Sequence, residues 1–387
     1  MSHKHLFNLD PEVVYLNCAY MSPLLREVEE AGMDGVMRKR SPNRISTEDF
    51  FAPVKVLKEE FAKLINGDNY ERVAIIPSVS YGIGIVTRNI PLKKGEKILI
   101  MDEQFPSNVF GWQKLAQKTG AEIIKVAPPK VFQQRGERWN ERILAAIDSR
   151  TRVVSLPHFH WSDGTRFDLE AIRKKTWEVG AKLIIDGTQS VGAYPFDINR
   201  IQPDAMFAGG YKWLMGPYGL GLAWLGEYFD DKEPLEENWI NRLGSEDFSS
   251  LARYESSYQP FARRYDMGEQ SNFILVPMLT AALRWLNRTG VDFIQNYCRE
   301  LTAQPLEKLS QSGYQIESPE WRGSHLFGIY LPDRLNIHTL KQALEKEKIY
   351  VSVRGESLRV SPHLYNETPD LEKLVAVLEE VYAKYGK

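Results

Sequence analysis

The order of apolar segments predicts an α/β fold on a mainly parallel sheet, followed by a second, smaller α+β region. Three observations carry this. From about residue 70, short apolar runs alternate with helical stretches. Polar and aromatic residues of unusual type cluster just beyond the ends of those runs, where ligands sit on sheets of this kind. From about Tyr228 to Gln270 the alternation breaks, and it resumes in a different form from about Pro277.

The elements follow in order. Val73-Ala74-Ile75-Ile76-Pro77 and Lys97-Ile98-Leu99-Ile100-Met101 have the length and β-branched content of buried strands. Phe110 to Thr119 reads as a helix and Ala121 to Val126 as a strand. Thr151 to Leu156 is a strand, Asp168 to Val179 a helix, and Lys182 to Asp186 the next strand. The acidic and aromatic stretch Tyr228 to Gln270 is too long for a plain connection and is expected to shape a binding pocket. A helix from about Pro277 to Arg288 leads into strands near Gly328 to Leu331 and Ile349 to Val353. A final helix covers Asp370 to about Tyr385. A domain boundary is expected near residue 265.

The 387 residues are 43% hydrophobic, with 9 Trp, 18 Tyr and 17 Phe, enough for a large core in one large or two unequal domains. Basic and acidic residues number 49 and 51, and no run of like charge suggests a nucleic-acid or membrane-surface partner. Cys18 and Cys298 are the only cysteines, which excludes a disulfide framework and a cysteine-rich metal site. The apolar patch near the start is too short for a signal-peptide core, and no apolar stretch approaches the roughly 20 residues of a spanning helix. These features lead us to expect a soluble, cytoplasmic protein.

Lys212 is the most informative residue. It lies in Gly209-Gly210-Tyr211-Lys212-Trp213, followed by Gly216-Pro217-Tyr218-Gly219, and lysine normally stays in water. It stands 26 residues after Asp186, which ends the strand Leu183-Ile184-Ile185-Asp186. A lysine that forms a Schiff base and a strand-end acid that keeps a pyridine nitrogen protonated are what pyridoxal phosphate chemistry needs. Alone, Asp186 could equally cap the next helix. Pro77-Ser78-Val79-Ser80-Tyr81-Gly82 joins a strand to an apolar helix, and its free N–H groups suit a phosphate, or Ser78 is an ordinary N-cap. Phe105, after another strand, could stack on a cofactor ring or fill a turn. His158-Phe159-His160-Trp161-Ser162-Asp163-Gly164 tempts toward a metal, but no third ligand of recognisable spacing is present, so lining a site is the better reading. Arg359, in Arg359-Val360-Ser361-Pro362-His363, could clamp a substrate carboxylate or make a surface ion pair.

Taken together these pieces resemble the class V aminotransferase family of fold-type I pyridoxal phosphate enzymes. That family includes cysteine desulfurases, selenocysteine lyases, kynureninases and aminotransferases. The resemblance runs from Tyr15-Leu16-Asn17-Cys18-Ala19 to the last helix. It is strongest at Asp186-x-x-Gln189-Ser190, Lys212 and Arg359-Val-Ser-Pro-His-x-Tyr365-Asn366. It implies a mainly parallel seven-stranded sheet covered by helices in a large domain, residues 20–265. Residues 1–19 and 266–387 form a smaller α+β domain. It makes Lys212 the Schiff-base lysine, Asp186 the partner of the pyridine nitrogen and Gln189 a donor near the ring oxygen. Val79, Ser80 and Tyr211 serve the phosphate, Phe105 the ring, and Arg359 the substrate carboxylate, with Ala19, His160 and Trp161 on the substrate side. A homodimer acting on an amino acid as its small-molecule substrate is implied as well.

Phe105-Pro106-Ser107 and Tyr211-Lys212-Trp213 are similar to the kynureninase branch, whereas Gln189 is desulfurase-like. Trp161 replaces the desulfurase Asn, and Met267-Gly268-Glu269 departs from the Gly-Thr that meets a partner's phosphate. No cysteine lies between Cys298 and the end of the chain, where a desulfurase carries its nucleophile. The expected activity is therefore transamination. Carbon–sulfur, carbon–selenium or carbon–carbon lyase or hydrolase chemistry and epimerisation are the alternatives, and a non-catalytic binding scaffold is the reading from another class.

Overall fold

Strands covered on both faces must be mostly apolar, and the central strands of this chain are, around a few polar residues such as Arg152 and Ser155. In the computed structural model, which describes residues 3–130, 132, 134–332 and 335–385, they form one seven-stranded sheet. Residues 1–2, 333–334 and 386–387 of the expected small domain lie outside the described residues. The chain begins with β1 (Val14–Tyr15), α1 (Arg26–Arg38) and α2 (Ala52–Leu64). The large sheet is then laid down by β2 (Val73–Ile76), α3 (Val79–Asn89), β3 (Lys97–Met101), α4 (Phe110–Thr119), β4 (Glu122–Val126) and α5 (Arg135–Ala146). It continues through β5 (Thr151–Pro157), α6 (Leu169–Val179), β6 (Lys182–Asp186), α7 (Ile198–Ile201), β7 (Ala205–Gly209) and β8 (Gly221–Leu225). Next come α8 (Leu275–Thr289), α9 (Val291–Gln311), β9 (Gln315–Ile316), β10 (Phe327–Tyr330) and α10 (Ile337–Lys346). The chain closes with β11 (Ile349–Tyr350), β12 (Ser352–Arg354), β13 (Ser357–Val360) and α11 (Thr368–Tyr385).

The sheet order is β2-β8-β7-β6-β5-β3-β4. All neighbours run parallel except β8, which is antiparallel to both β2 and β7. The mainly parallel sheet expected from the sequence is therefore present. The expected strands coincide with β2 to β6 and β10, and the helix Phe110 to Thr119 coincides with α4. Strands β7 and β8 are additions to the expected set. Local capping sets where helices begin: Ser78 accepts from the Tyr81 N–H at 3.3 Å to open α3, and Asp168 accepts from the Ala171 N–H at 3.0 Å to open α6.

The second region is an antiparallel sheet of order β12-β13-β10-β9 covered by α9, α10 and α11. The single strand expected over Ile349 to Val353 is divided. β11 pairs in parallel with β1, while β12 pairs with β13. Val14 and Leu16 pack into the same core as Leu301, Phe327, Leu358 and Leu374, so the amino-terminal segment is buried with the carboxyl-terminal one. Helix α8 packs on α1 and α2, although it follows the expected boundary near 265. Gly32 and Gly35 permit that contact. A Cβ on Gly35 would stand 2.3 Å from the Phe273 carbonyl oxygen, and one on Gly32 2.8 Å from the Met278 sulfur. The stretch 228–270 does not shape the cavity described below. Trp239 and Phe248 pack edge-on around Phe50, and Asp266 takes the Ile75 N–H at 2.7 Å and the Lys58 ammonium at 2.6 Å. Trp239 and Phe248 thus pack against the segment before α2, whereas Tyr228 and Tyr265 pack on Phe229.

A candidate active site at the carboxyl ends of the central strands

Parallel strands that end at the same level leave a crevice, and here it is a cavity of about 360 Å³. The chain leaving β2 supplies Ser78, Val79 and Ser80. That leaving β3 supplies Gln104 and Phe105, that leaving β5 Trp161, β6 Asp186 and Gln189, and β7 Tyr211 and Lys212. Of the residues singled out in the sequence, eight line this one cavity: Val79, Ser80, Phe105, Trp161, Asp186, Gln189, Tyr211 and Lys212.

Lys212 reaches the cavity because the turn after β7 is pressed against β8. A Cβ on Gly210 would lie 2.6 Å from the Leu220 carbonyl oxygen, so only glycine fits there. Lys212 is 8% exposed, and among the described residues its ammonium has no hydrogen-bond or ion-pair partner. Two aromatic rings flank it, with Nζ 5.6 Å from the Phe105 ring centre and 5.5 Å from that of Tyr211. Burial pulls its pKa down to about 8. The positive charge of Arg359 adds to that, and the carboxylate of Asp186 opposes it.

Asp186, at the end of the neighbouring strand β6, lines the same cavity. Its Oδ1 accepts the Thr188 N–H at 3.0 Å, and burial raises its carboxyl above the usual range, against the pull of Thr188 and Lys212. Thr188 also accepts the Gly209 N–H at 3.3 Å and so ties β6 to β7. The sequence offers no periodic signal for Thr188 beyond its place two residues after a strand-end acid. Gln189 is already largely engaged: Nε2 donates to the Ala19 carbonyl at 3.2 Å, and Oε1 accepts from the Trp213 indole at 2.8 Å. Ala19 in turn donates its N–H to Ser361 Oγ at 3.0 Å. Ala19 and Gln189 thus link the start of the chain, the β6 end and the β13 end into one buried set.

The first N–H groups of α3, at Val79 and Ser80, have no residue four positions earlier in the helix to bond and face the cavity. The hydroxyls of Ser78 and Ser80 lie 2.9 Å apart beside them. Tyr211, whose hydroxyl is pushed up to about 12 by burial, packs edge-on to Tyr218 with ring centres 4.8 Å apart.

Arg359 is 2% exposed. Nη1 donates to the Trp161 carbonyl at 2.7 Å and Nη2 to Ser352 Oγ at 3.4 Å, while Nε is buried without a partner. Among the described residues no carboxylate pairs with it, and burial with the nearby Arg354 charge pulls it down to about 9. Trp161 donates its indole N–H to the Glu103 carbonyl at 2.7 Å and meets Phe105 edge-on, ring centres 5.5 Å apart. His160 is placed elsewhere. It is fully buried behind the cavity wall, with Nδ1 2.7 Å from Ser162 Oγ and its ring 4.9 Å from that of Trp139. Its neighbour Asp163 is engaged by Arg135 at 3.0 Å and by the Tyr330 hydroxyl at 2.8 Å. A larger cleft of about 680 Å³ lies near His158, and several of its polar groups pair with one another, Asn66 with Asp197, Arg166 with Tyr194 and Arg200 with Glu170.

Lys212 and Asp186 are thus opposite charges, both buried, both facing one cavity and not in contact. A group that satisfies them together offers a carbon that takes an amine at one end and a protonated ring nitrogen at the other. The bare N–H groups of α3 add an anion site, and Phe105 a flat apolar wall. Pyridoxal phosphate has this set of features, and the residues fit it.

Comparison with known proteins places this fold in a family. The chain belongs to the family described as Aminotransferase class-V, which matches residues 41–374. It is similar to an uncharacterized aminotransferase, YcbU, of Bacillus subtilis (strain 168), 27% identical over 333 residues that cover 84% of this chain and 82% of that protein. It is also similar to isopenicillin N epimerase of Streptomyces clavuligerus, 24% identical over 388 residues, covering 96% of this chain and 95% of that one. Among solved structures, a C-DES mutant with glycine covalently linked to its PLP cofactor superposes with a TM-score of 0.86 at 19% identity, covering 98% of this chain and 99% of that chain. Among the described residues no helix is long and apolar enough to cross a membrane.

Proposed function

We propose that this chain is a pyridoxal phosphate-dependent enzyme that acts on an amino acid, and that its reaction is amino-group transfer. The observation that carries the reading is that Lys212 and Asp186, both buried and not ion-paired with each other, line one cavity. Bound pyridoxal phosphate supplies an aldehyde that takes up amines and an electron-poor ring that accepts the electron pair left when a bond at the substrate Cα breaks.

The chain's own residues supply the rest. Lys212 holds the cofactor, and its lowered basicity lets Nζ exist in part as the free, nucleophilic amine near neutral pH. Asp186 keeps a proton on the ring nitrogen. The N–H groups of Val79 and Ser80 bind the phosphate with the help of the α3 dipole, and Phe105 flanks the ring. Gln189 retains one N–H for a ring oxygen, because its other amide atoms are committed to Ala19 and Trp213. The guanidinium of Arg359, which meets no carboxylate of the chain among the described residues, fixes the substrate carboxylate, and Trp161 narrows the entrance to water. Once released, Lys212 Nζ accepts the proton from Cα. Where that proton is delivered decides between amino-group transfer and epimerisation.

Desulfuration through a persulfide is disfavoured on chemical grounds. Cys18 and Cys298 are fully buried, and burial pushes Cys18 up to about 12 and Cys298 well above its ordinary value, so neither is a thiolate near neutral pH. The test is to mix holoenzyme with single amino acids, follow the cofactor's visible band, and then add 2-oxo acids. Loss of the band to the aminated cofactor, reversed by a 2-oxo acid, is the expected result. A β-product released with no aminated cofactor contradicts transfer.

A further inference from the structure

Arg359 is not the only guanidinium left without a carboxylate on its face of the sheet. In an antiparallel pair, residues directly opposite and their neighbours two positions away share a face. β12 and β13 pair Ser352 with Arg359 and Arg354 with Ser357, so Arg354 and Arg359 project to the same side, one diagonal step apart. The Arg354 guanidinium carbon lies 5.6 Å above the Trp161 ring, whose carbonyl holds Arg359. Nη1 of Arg354 donates to its neighbouring Val353 carbonyl at 2.8 Å, and its Nε is buried without a partner. Among the described residues Arg354 makes no ion pair, although Glu103, Glu356 and Lys130 border the same outer cavity of about 770 Å³. Gln104 and Trp161 belong to the walls of both that cavity and the one around Lys212, so the two spaces adjoin at Trp161.

An amino acid with one carboxylate uses one arginine. Two uncompensated guanidinium groups on one face, separated by a tryptophan at the junction of two cavities, match a ligand with two anionic ends. We propose that Arg354 is a specificity-determining residue that binds the distal carboxylate of a dicarboxylic amino acid or its 2-oxo acid, while Arg359 binds the one beside Cα. This rests on the amino-acid reading of the site given above and names the substrate class within it.

The test uses two readouts on holoenzyme. The first is the rate of visible-band conversion by L-glutamate against L-norvaline, a neutral amino acid of the same chain length. The second is calorimetric binding of glutarate against valerate, which involves no turnover. The wild type is expected to favour the dicarboxylate by about 100-fold in both, the ratio that one charge-assisted hydrogen-bonded pair supplies. Arg354→Gln should collapse both ratios toward one, and Arg354→Lys should restore part of each. A wild type that converts norvaline as fast as glutamate, or an Arg354→Gln variant with unchanged ratios, overturns the proposal and leaves amino-group transfer standing. If no amino acid converts the band but glutarate still binds in an Arg354-dependent way, the dicarboxylate site is upheld and the transfer reading falls.

Discussion

Arg359 donates through Nη1 to the Trp161 carbonyl at 2.7 Å and meets no carboxylate among the described residues, so its fork is aimed and held but left uncompensated. A buried arginine in that state is arranged for an anion that arrives from outside. Replacing it should therefore cost substrate recognition. We expect Arg359→Gln to lower kcat/KM for an amino acid by about 100-fold or more, and Arg359→Lys to recover little, because an ammonium cannot reproduce the planar fork. Steady-state kinetics on the two variants, with thermal denaturation as a control for folding, decides this. Wild-type kcat/KM in Arg359→Lys would show that a point charge is enough.

The depressed basicity of Lys212 gives a signed pH dependence. Below a pH of about 8 its amine is protonated and unreactive, and above it the amine is free. The rate at which apoenzyme takes up pyridoxal phosphate should rise through a midpoint near 8 and then level off. Arg359→Gln removes a positive neighbour and should move that midpoint up, whereas Asp186→Asn removes a negative one and should move it down. Growth of the visible band, timed across this range, provides the measurement. A midpoint at the ordinary lysine value of 10.5 contradicts the buried setting of Lys212.

Asp186 should matter more to chemistry than to cofactor binding. It stabilises charge that develops in the ring, so Asp186→Asn should retain bound cofactor yet lose about 100- to 1000-fold in kcat. Cofactor content by absorbance and kcat from initial rates separate the two effects. Equal loss of both would reduce Asp186 to a structural role.

The two thiols should be silent. Burial, which on Cys18 outweighs the opposing pull of Tyr365 and Lys212, leaves Cys18 and Cys298 protonated at neutral pH. Native protein treated with iodoacetamide should show no alkylation at either position by mass spectrometry, and L-cysteine should yield no protein-bound persulfide. A persulfide on Cys18 would reopen desulfuration.

Met33, Val36 and Met37 lie on one face of α1 and are 66%, 57% and 47% exposed, an apolar stripe that a second copy of the chain would cover. Light scattering should give about twice the 44.5 kDa of one chain, and Met33→Asp with Val36→Asp should shift the equilibrium toward that single mass. A native protein at the single-chain mass contradicts a homodimer.

The parts of the fold that can be read from the sequence are those where burial imposes one pattern. β2 to β6 appear as apolar runs, unbroken in β2 and over residues 183–185 of β6, which are covered on both faces. β7 and β8 are equally buried, yet Ala205–Gly209 and Gly221–Leu225 are glycine- and alanine-bearing because strands and turns press close there, and glycine reads as a break. Helix α1 is hidden for the same reason, since Gly32 and Gly35 serve its contact with α8. Within the site, Asp186, Gln189 and Lys212 are legible because strand-end chemistry is local. The placement of His160 is not, because Trp139 and Arg135 arrive from α5 to enclose it and its neighbour Asp163. Arg354 carries no local signal because only the β12–β13 register sets it on the face of Arg359.

The most direct test of the Schiff-base assignment is to reduce the holoenzyme with borohydride, digest it, and locate the cofactor-bearing peptide by mass spectrometry. One modified residue, Lys212, is expected, with no modification in Lys212→Ala. A cofactor adduct on a different lysine, or an unmodified Lys212 in a fully loaded yellow protein, would contradict it.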